Sequence, residues 1–271
     1  MLSNLFTRKC YYKLSKNIRT LTSTQITMCE IKFDQENKED YIGADENSDL
    51  LKNNIRNKFR QHVNPLASAY QQKIILEDKW IENSFENVSK PFIIDIGCSK
   101  GSWALNMCQQ SSEYNILGLE IRKPVVDFAN HRKEKRGLKN VHFISTNANV
   151  NIEKILNDIT LCSKIEMVCI QFPDPHFKTR HKKRRVVNEE FVNILSRCLS
   201  SNSKIFVQSD VFDVIEDMVQ SFLKNINFSP ANNYSAVSLD NNISPVGIKT
   251  EREIATLARN LPVYRMLFVK N

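Results

Sequence analysis

From residue 91 onward, short apolar runs without polar alternation recur, and each is followed by a stretch of helical spacing. PFIIDIG (91–97) precedes SWALNMCQQ, NILGLEI (115–121) precedes a charged helical stretch from Pro124 to Lys135, and VHFIST (141–146) precedes NIEKILNDI (151–159). KIEMVCIQF (164–172) precedes NEEFVNILSRCL (188–199), where Asn188 is placed to cap a helix. SKIFVQSD (203–210) precedes VFDVIEDMVQSFLKN (211–225), and YRMLFVK (264–270) reads as a terminal strand. A strand that is apolar on both faces must be covered on both faces, which calls for a parallel sheet between helical layers. The pattern predicts one α/β domain over residues 51–271, without internal repeats. Residues from about 226 to 249, rich in Asn and Ser, read as a loop excursion near the ligand side.

The 271 residues carry a formal net charge of +8, and the segment from Lys178 to Arg185 alone holds six Lys or Arg. Charge concentrated in this way reads as a footprint for a polyanion, with a solvated basic loop as the plainer alternative. The seven cysteines are scattered and form no C-x-x-C pair, which argues against a disulfide framework and a structural zinc site and for a reducing compartment. No apolar run is long enough to span a membrane. Residues 1–29 are basic, hydroxylated and free of acids, and residues 30–50 are strongly acidic. The first segment has the composition of a mitochondrial or plastid transit peptide, or of a disordered tail, and the second reads as a linker. Nucleus or cytoplasm is the expected compartment if the first segment is not an address.

Ligands of such sheets bind beyond the carboxyl ends of the strands, where the strand order reverses. The first strand ends in DIGCSKG (95–101), where Gly97 and Gly101 let the backbone turn and approach a ligand. Glu120 closes the second strand at the spacing of an acid that accepts from a ribose diol, and Asn147 follows the third, where its amide could meet an adenine edge. The glycine loop lacks the middle glycine of a dinucleotide fingerprint, and taken alone it is equally well ordinary turn chemistry. Asp95 would repel a pyrophosphate and attract an amine or a sulfonium. S-adenosylmethionine meets those demands and NAD does not.

The most specific stretch is QFPDPHFKTRHKKRR (171–185), in which Asp174 lies between two prolines and ahead of the basic run. So much nearby positive charge favours the carboxylate form, and the prolines exclude helix there. Taken with DIGCSKG, LGLEIR, TNAN, QSD and TEREI in that order, this stretch resembles the tRNA (guanine-N7)-methyltransferases of the TrmB type. The resemblance covers roughly residues 55–271, and RQHVNPL (60–66) with TEREIATLARNLPVYR (250–265) makes it most similar to the cyanobacterial and plant-organelle branch.

The resemblance implies a Rossmann-like class I methyltransferase with a mostly parallel seven-stranded sheet and helices on both faces. It implies methyl transfer from S-adenosylmethionine to N7 of a tRNA guanine, at guanosine 46 of the variable loop. Asp95, Gly97, Glu120 and Asn147 would bind the methyl donor, and Asp174 would stand at the catalytic position. Lys178, Asp210, Thr250 and Glu253 would contact substrate, and Arg180, His181, Lys182, Lys183, Arg184 and Arg185 the tRNA. The family's eukaryotic cytosolic members need a WD-repeat partner, whereas the bacterial look of this chain implies independence. Two positions depart from the family pattern: Ser99 replaces a glycine of the first loop, and His176 stands where Trp is usual.

Guanine N7 has a lone pair and no proton, so its methylation needs orientation and electrostatic support, not a general base. A rigid Asp174 suits that role; its plainer reading is a turn, capping or salt-bridging residue. Thr250 and Glu253 have an equally good reading as a capping box. His176 and His181 have no acid or Cys at ligand spacing, so no metal is expected, and stacking or phosphate contact fits them better. KKRR also matches a nuclear-localisation signal. Other readings of the whole chain are a non-catalytic RNA-binding or scaffold protein that keeps the fold, and a methyltransferase for another RNA guanine.

Overall fold

A computed structural model describes residues 62–231 and 244–271. The transit-like segment and the acidic linker lie outside the described residues, as does the middle of the Asn/Ser-rich stretch. A short helix α1 (Trp80–Ser84) leads into β1 (Phe92–Ile96), after which α2 (Ser102–Gln110), β2 (Asn115–Glu120), α3 (Lys123–Lys135) and β3 (Val141–Ser145) alternate. There follow α4 (Ala148–Thr160), β4 (Ile165–Gln171), a 3-10 helix (Thr179–Arg184), α5 (Glu189–Cys198), β5 (Lys204–Ser209) and α6 (Phe212–Leu223). The chain ends with β6 (Phe228–Pro230), α7 (Glu251–Leu257) and β7 (Tyr264–Lys270). The Asn/Ser-rich stretch is therefore not loop throughout: its first residues form β6, which pairs antiparallel with β7 at the sheet's edge.

The sheet has seven strands in the order β3-β2-β1-β4-β5-β7-β6. Its first five strands are parallel, and β7 runs antiparallel between β5 and β6. Every residue of β1 and of β2 is buried, as a strand covered on both faces must be. Helix α4 packs on α5, and α5 on α6, whereas α2 and α3 pack on β2 and β3. Right-handed crossovers put these two groups on opposite faces, because the chain reverses direction across the sheet after β3.

Local chemistry sets the helix ends. Asn188 caps α5 by accepting from the Phe191 amide, as its sequence position suggests. Pro124 lies in the first turn of α3, and Arg132, Lys133 and Lys135 in its last turn oppose the partial negative charge there. Thr250 and Glu253 form a complete capping box at the start of α7.

Candidate active site

Strand order reverses at β1, whose neighbours are β2 on one side and β4 on the other. The loops after these strands consequently meet, and β1 and β4 align with Ile96 beside Ile170. They border a cavity of about 600 Å³, a size ordinary for small-molecule sites, lined by Asp95, Gly97, Glu120, Asn147, Asp174, Arg184, Asp210 and Thr250. Eight of the residues singled out from sequence thus share one cavity, although they span more than half of the chain.

The floor is acidic and dry. Asp95 is 4% exposed and Glu120 5%, so both carboxyls are withdrawn from bulk water. Burial pushes Asp95 up to about 7; the Gln171 amide opposes that push and the charge of Glu120 adds to it. Two buried thiols beside it, Cys98 and Cys169, are also driven upward by burial, so they stay neutral and add no charge. Glu120 has a partner that the sequence reading passed over. Arg122 Nε donates to its Oε1 at 2.9 Å and Arg122 Nη2 to its Oε2 at 2.8 Å, a bidentate clamp. The clamp fixes the carboxylate plane, and a carboxylate so held keeps lone pairs for hydroxyl donors.

The loop after β1 turns on three left-handed residues, Gly97 (φ 79°), Ser99 (φ 50°) and Gly101 (φ 72°). A side chain at Gly101 would come within 2.4 Å of the Phe143 ring, so both space and conformation require glycine there. At Gly97 nothing lies within 4 Å of such a side chain, so the glycine leaves its backbone bare toward the cavity. Ser99 bears the conformation of a glycine with a Cβ attached, which is strained.

Asn147 lines the cavity with both of its amide hydrogens already engaged. Its Nδ2 donates to the carbonyls of Pro65 and Tyr70 at 3.1 and 3.0 Å, and its oxygen caps α4 by accepting from the Asn149 amide. The amide holds the segment that precedes α1, and Asn151 one turn on does the same through Gln72 and Ile74. The second lone pair of its oxygen is what the side chain has left for a ligand.

Asp174 lines the same cavity from the loop after β4. The residues flanking P-D-P, Phe172 (φ 49°) and His176 (φ 43°), are both left-handed, so the loop is strained on both sides of its acid. His62 Nδ1 donates to Asp174 Oδ2 at 2.8 Å, and the His176 amide donates to Oδ1 at 3.3 Å. The side chain remains 31% exposed, open to a further partner. His176 itself turns inward, and burial pushes it below the ordinary histidine value, so it is a neutral ring at pH 7.

The basic run divides in two. Lys178, Arg180, Lys182 and Lys183 are exposed, and His181 is half-buried and shifted downward by desolvation and then by the cations around it. Arg184 borders the cavity, and its Nε is buried without a partner among the described residues. Arg185, expected from the resemblance to contact tRNA, is engaged within the protein. It is 8% exposed; its Nε donates to the Pro175 carbonyl at 2.9 Å, and its Nη1 pairs with Asp217 of α6. It ties the P-D-P loop to the body of the protein.

Glu253, expected from the resemblance to contact substrate, is fully buried and is not among the residues that line the cavity. Its carboxylate closes the capping box, pairs with the fully buried Arg265 of β7, and accepts from Gln208 at 3.4 Å. Gln208 donates in turn to Gln171 at 2.8 Å, and Gln171 to Asp95 at 3.5 Å. A buried polar chain therefore runs from β7 through β5 and β4 to β1. Asp210 does border the cavity, where Arg252, also missed from sequence, clamps it through Nε at 2.9 Å.

A family model described as "Putative methyltransferase" matches residues 89–266. The tRNA (guanine-N(7)-)-methyltransferase of Thermosynechococcus vestitus is 43% identical over 212 residues, covering 78% of this chain and 94% of that one. Its namesake from Synechocystis sp. is 41% identical over 212 residues, covering 78% and 97%. Among solved structures, the 16S rRNA methyltransferase KamB matches with a TM-score of 0.49 at 10% identity, covering 73% of this chain and 95% of that one. With its sheet order and the sequence matches in agreement, the chain belongs to the tRNA (guanine-N(7)-)-methyltransferases, a family of S-adenosylmethionine-dependent enzymes.

Proposed function

We propose that this chain transfers a methyl group from S-adenosylmethionine to N7 of a tRNA guanine, with guanosine 46 of the variable loop as the target. The observation that carries the reading is the pairing of two chemically distinct groups in one cavity: buried acids in the last residues of β1 and β2, and a partly exposed acid on a stiff loop after β4. The donor supplies a methyl group on a positively charged sulfur. Asp95 and Glu120 suit its amino group and ribose hydroxyls, and the bare backbone at Gly97 allows close approach.

Asp174 accepts from guanine N1–H and the exocyclic amine, which leaves N7 unencumbered and aims it inward. Its charge also opposes the positive charge that arrives on the base. No group need remove a proton, because N7 has none. Lys178, Arg180 and Lys183 hold the phosphates beside the loop, an interaction that weakens as salt rises and reads no sequence. Asp210 and Thr250 form the opposite rim.

The decisive experiment follows labelled methyl transfer to unmodified tRNA by wild type and by Asp174→Ala. A tRNA with adenosine at position 46 is the control substrate. Transfer by wild type alone, and only to the guanosine substrate, is expected; equal transfer to the adenosine substrate would refute the assigned position. The cavity is built from this chain's own residues, so the enzyme is proposed to act without a WD-repeat subunit. Activity that appears only on adding such a subunit would overturn that. Residues 1–29 are proposed as an organelle address, in keeping with the cyanobacterial relatives, and a reporter fused to residues 1–50 should enter an organelle.

A further inference from the structure

Phe177 is 74% exposed and borders the cavity mouth, three residues beyond Asp174. A single exposed apolar side chain is ordinary on a protein surface, but this one has a particular setting. The left-handed backbone at His176 sends consecutive side chains opposite ways: the imidazole inward beside Asp174, the phenyl ring outward. Lys178 and Arg180 follow at once and are exposed. An aromatic face fixed on a strained loop, next to a phosphate-binding run, is the arrangement that single-stranded nucleic acid uses for stacking.

A guanine drawn into the cavity leaves one face of its neighbour in the tRNA without a stacking partner. We propose that Phe177 is a positioning residue that stacks on the nucleobase adjacent to the target guanine and holds the strand open. The inference rests on the tRNA reading above. It explains why the ring stays in water at the lip, when the apolar side chains of the flanking strand are buried.

The test measures KM for a tRNA transcript, together with affinity for S-adenosylmethionine, in Phe177→Ala, Phe177→Leu and Phe177→Trp. Loss of one stacked base should raise the tRNA KM of the Ala and Leu variants by about tenfold or more. Phe177→Trp should stay near wild type, and donor affinity should be unchanged throughout. The salt dependence of tRNA binding should be unaltered in all three, whereas Lys178→Ala should lower its slope by about one counterion. In Phe177→Trp, tRNA should quench indole emission beyond any change seen in wild type, which carries Trp80 and Trp103 alone. An Ala variant within about twofold of an active wild type would overturn the inference and leave the function standing. Full retention by Leu would overturn stacking in favour of simple apolar contact. A wild type inactive on tRNA would fail the functional reading itself.

Discussion

At the scale of single residues, Asp95 is the group whose chemistry and stability pull in opposite directions. Its ordinary value is 3.8 and its folded-state value about 7. Between those values the unfolded chain ionises at this position and the folded chain does not. The stability Asp95 contributes is therefore full below about pH 4 and is lost as pH rises through 7, up to about 4 kcal/mol. Asp95→Asn should unfold at higher urea than wild type at pH 8, with the difference gone at pH 4. The same variant should lose the pH dependence of donor affinity, which in wild type should fall about tenfold per unit below pH 7 as the carboxylate is protonated. Ser99 offers a contrasting case, in which strain can be relieved. Ser99→Gly removes a Cβ from a left-handed residue and should raise stability by about 0.5–1 kcal/mol, read as a rise in Tm of about 2 °C.

At the scale of elements, the loop after β4 and the 3-10 helix behind it have separable parts. Arg185 holds the loop to α6 through Pro175 and Asp217, whereas Lys183 is exposed and shares no such contact. Arg185→Ala should cost stability, roughly 1 kcal/mol for hydrogen bonds lost to partly exposed acceptors, and should lower kcat without changing the salt slope of tRNA binding. Lys183→Ala should do the reverse, reducing that slope by about one while leaving stability and kcat alone. Sequence alone ranked the two together, because the acid that buries Arg185 arrives with α6, more than thirty residues later. The elements themselves were legible for a physical reason: strands buried on both faces are continuous apolar runs, and few other structures produce them. β6 was not, since three residues ending in proline carry no periodicity.

At the scale of the whole molecule, chain order was enough to place the two loops together, because parallel α/β sheets put their strand ends on one side. Which atoms stay available there was not legible. Asn147 and Glu253 are named by the motifs around them, yet Pro65, Tyr70 and Gln208, which occupy them, lie far off in sequence, and Arg265 reaches Glu253 only through the return of the chain into β7. The segment held by Asn147 and Asn151 also delivers His62 to Asp174 across 112 residues. That hydrogen bond bears on turnover. An N7-methylated guanine is a cation, and the carboxylate that oriented the substrate would grip the product more tightly still. A neighbouring imidazole able to retake Asp174 Oδ2 competes for the grip at the moment the product must go. His62→Ala should accordingly leave a single round of methylation intact and slow the steady state, visible as a burst of product before a reduced linear rate. Such a burst would assign the contact at the mouth to the enzyme's second cycle more than to its first.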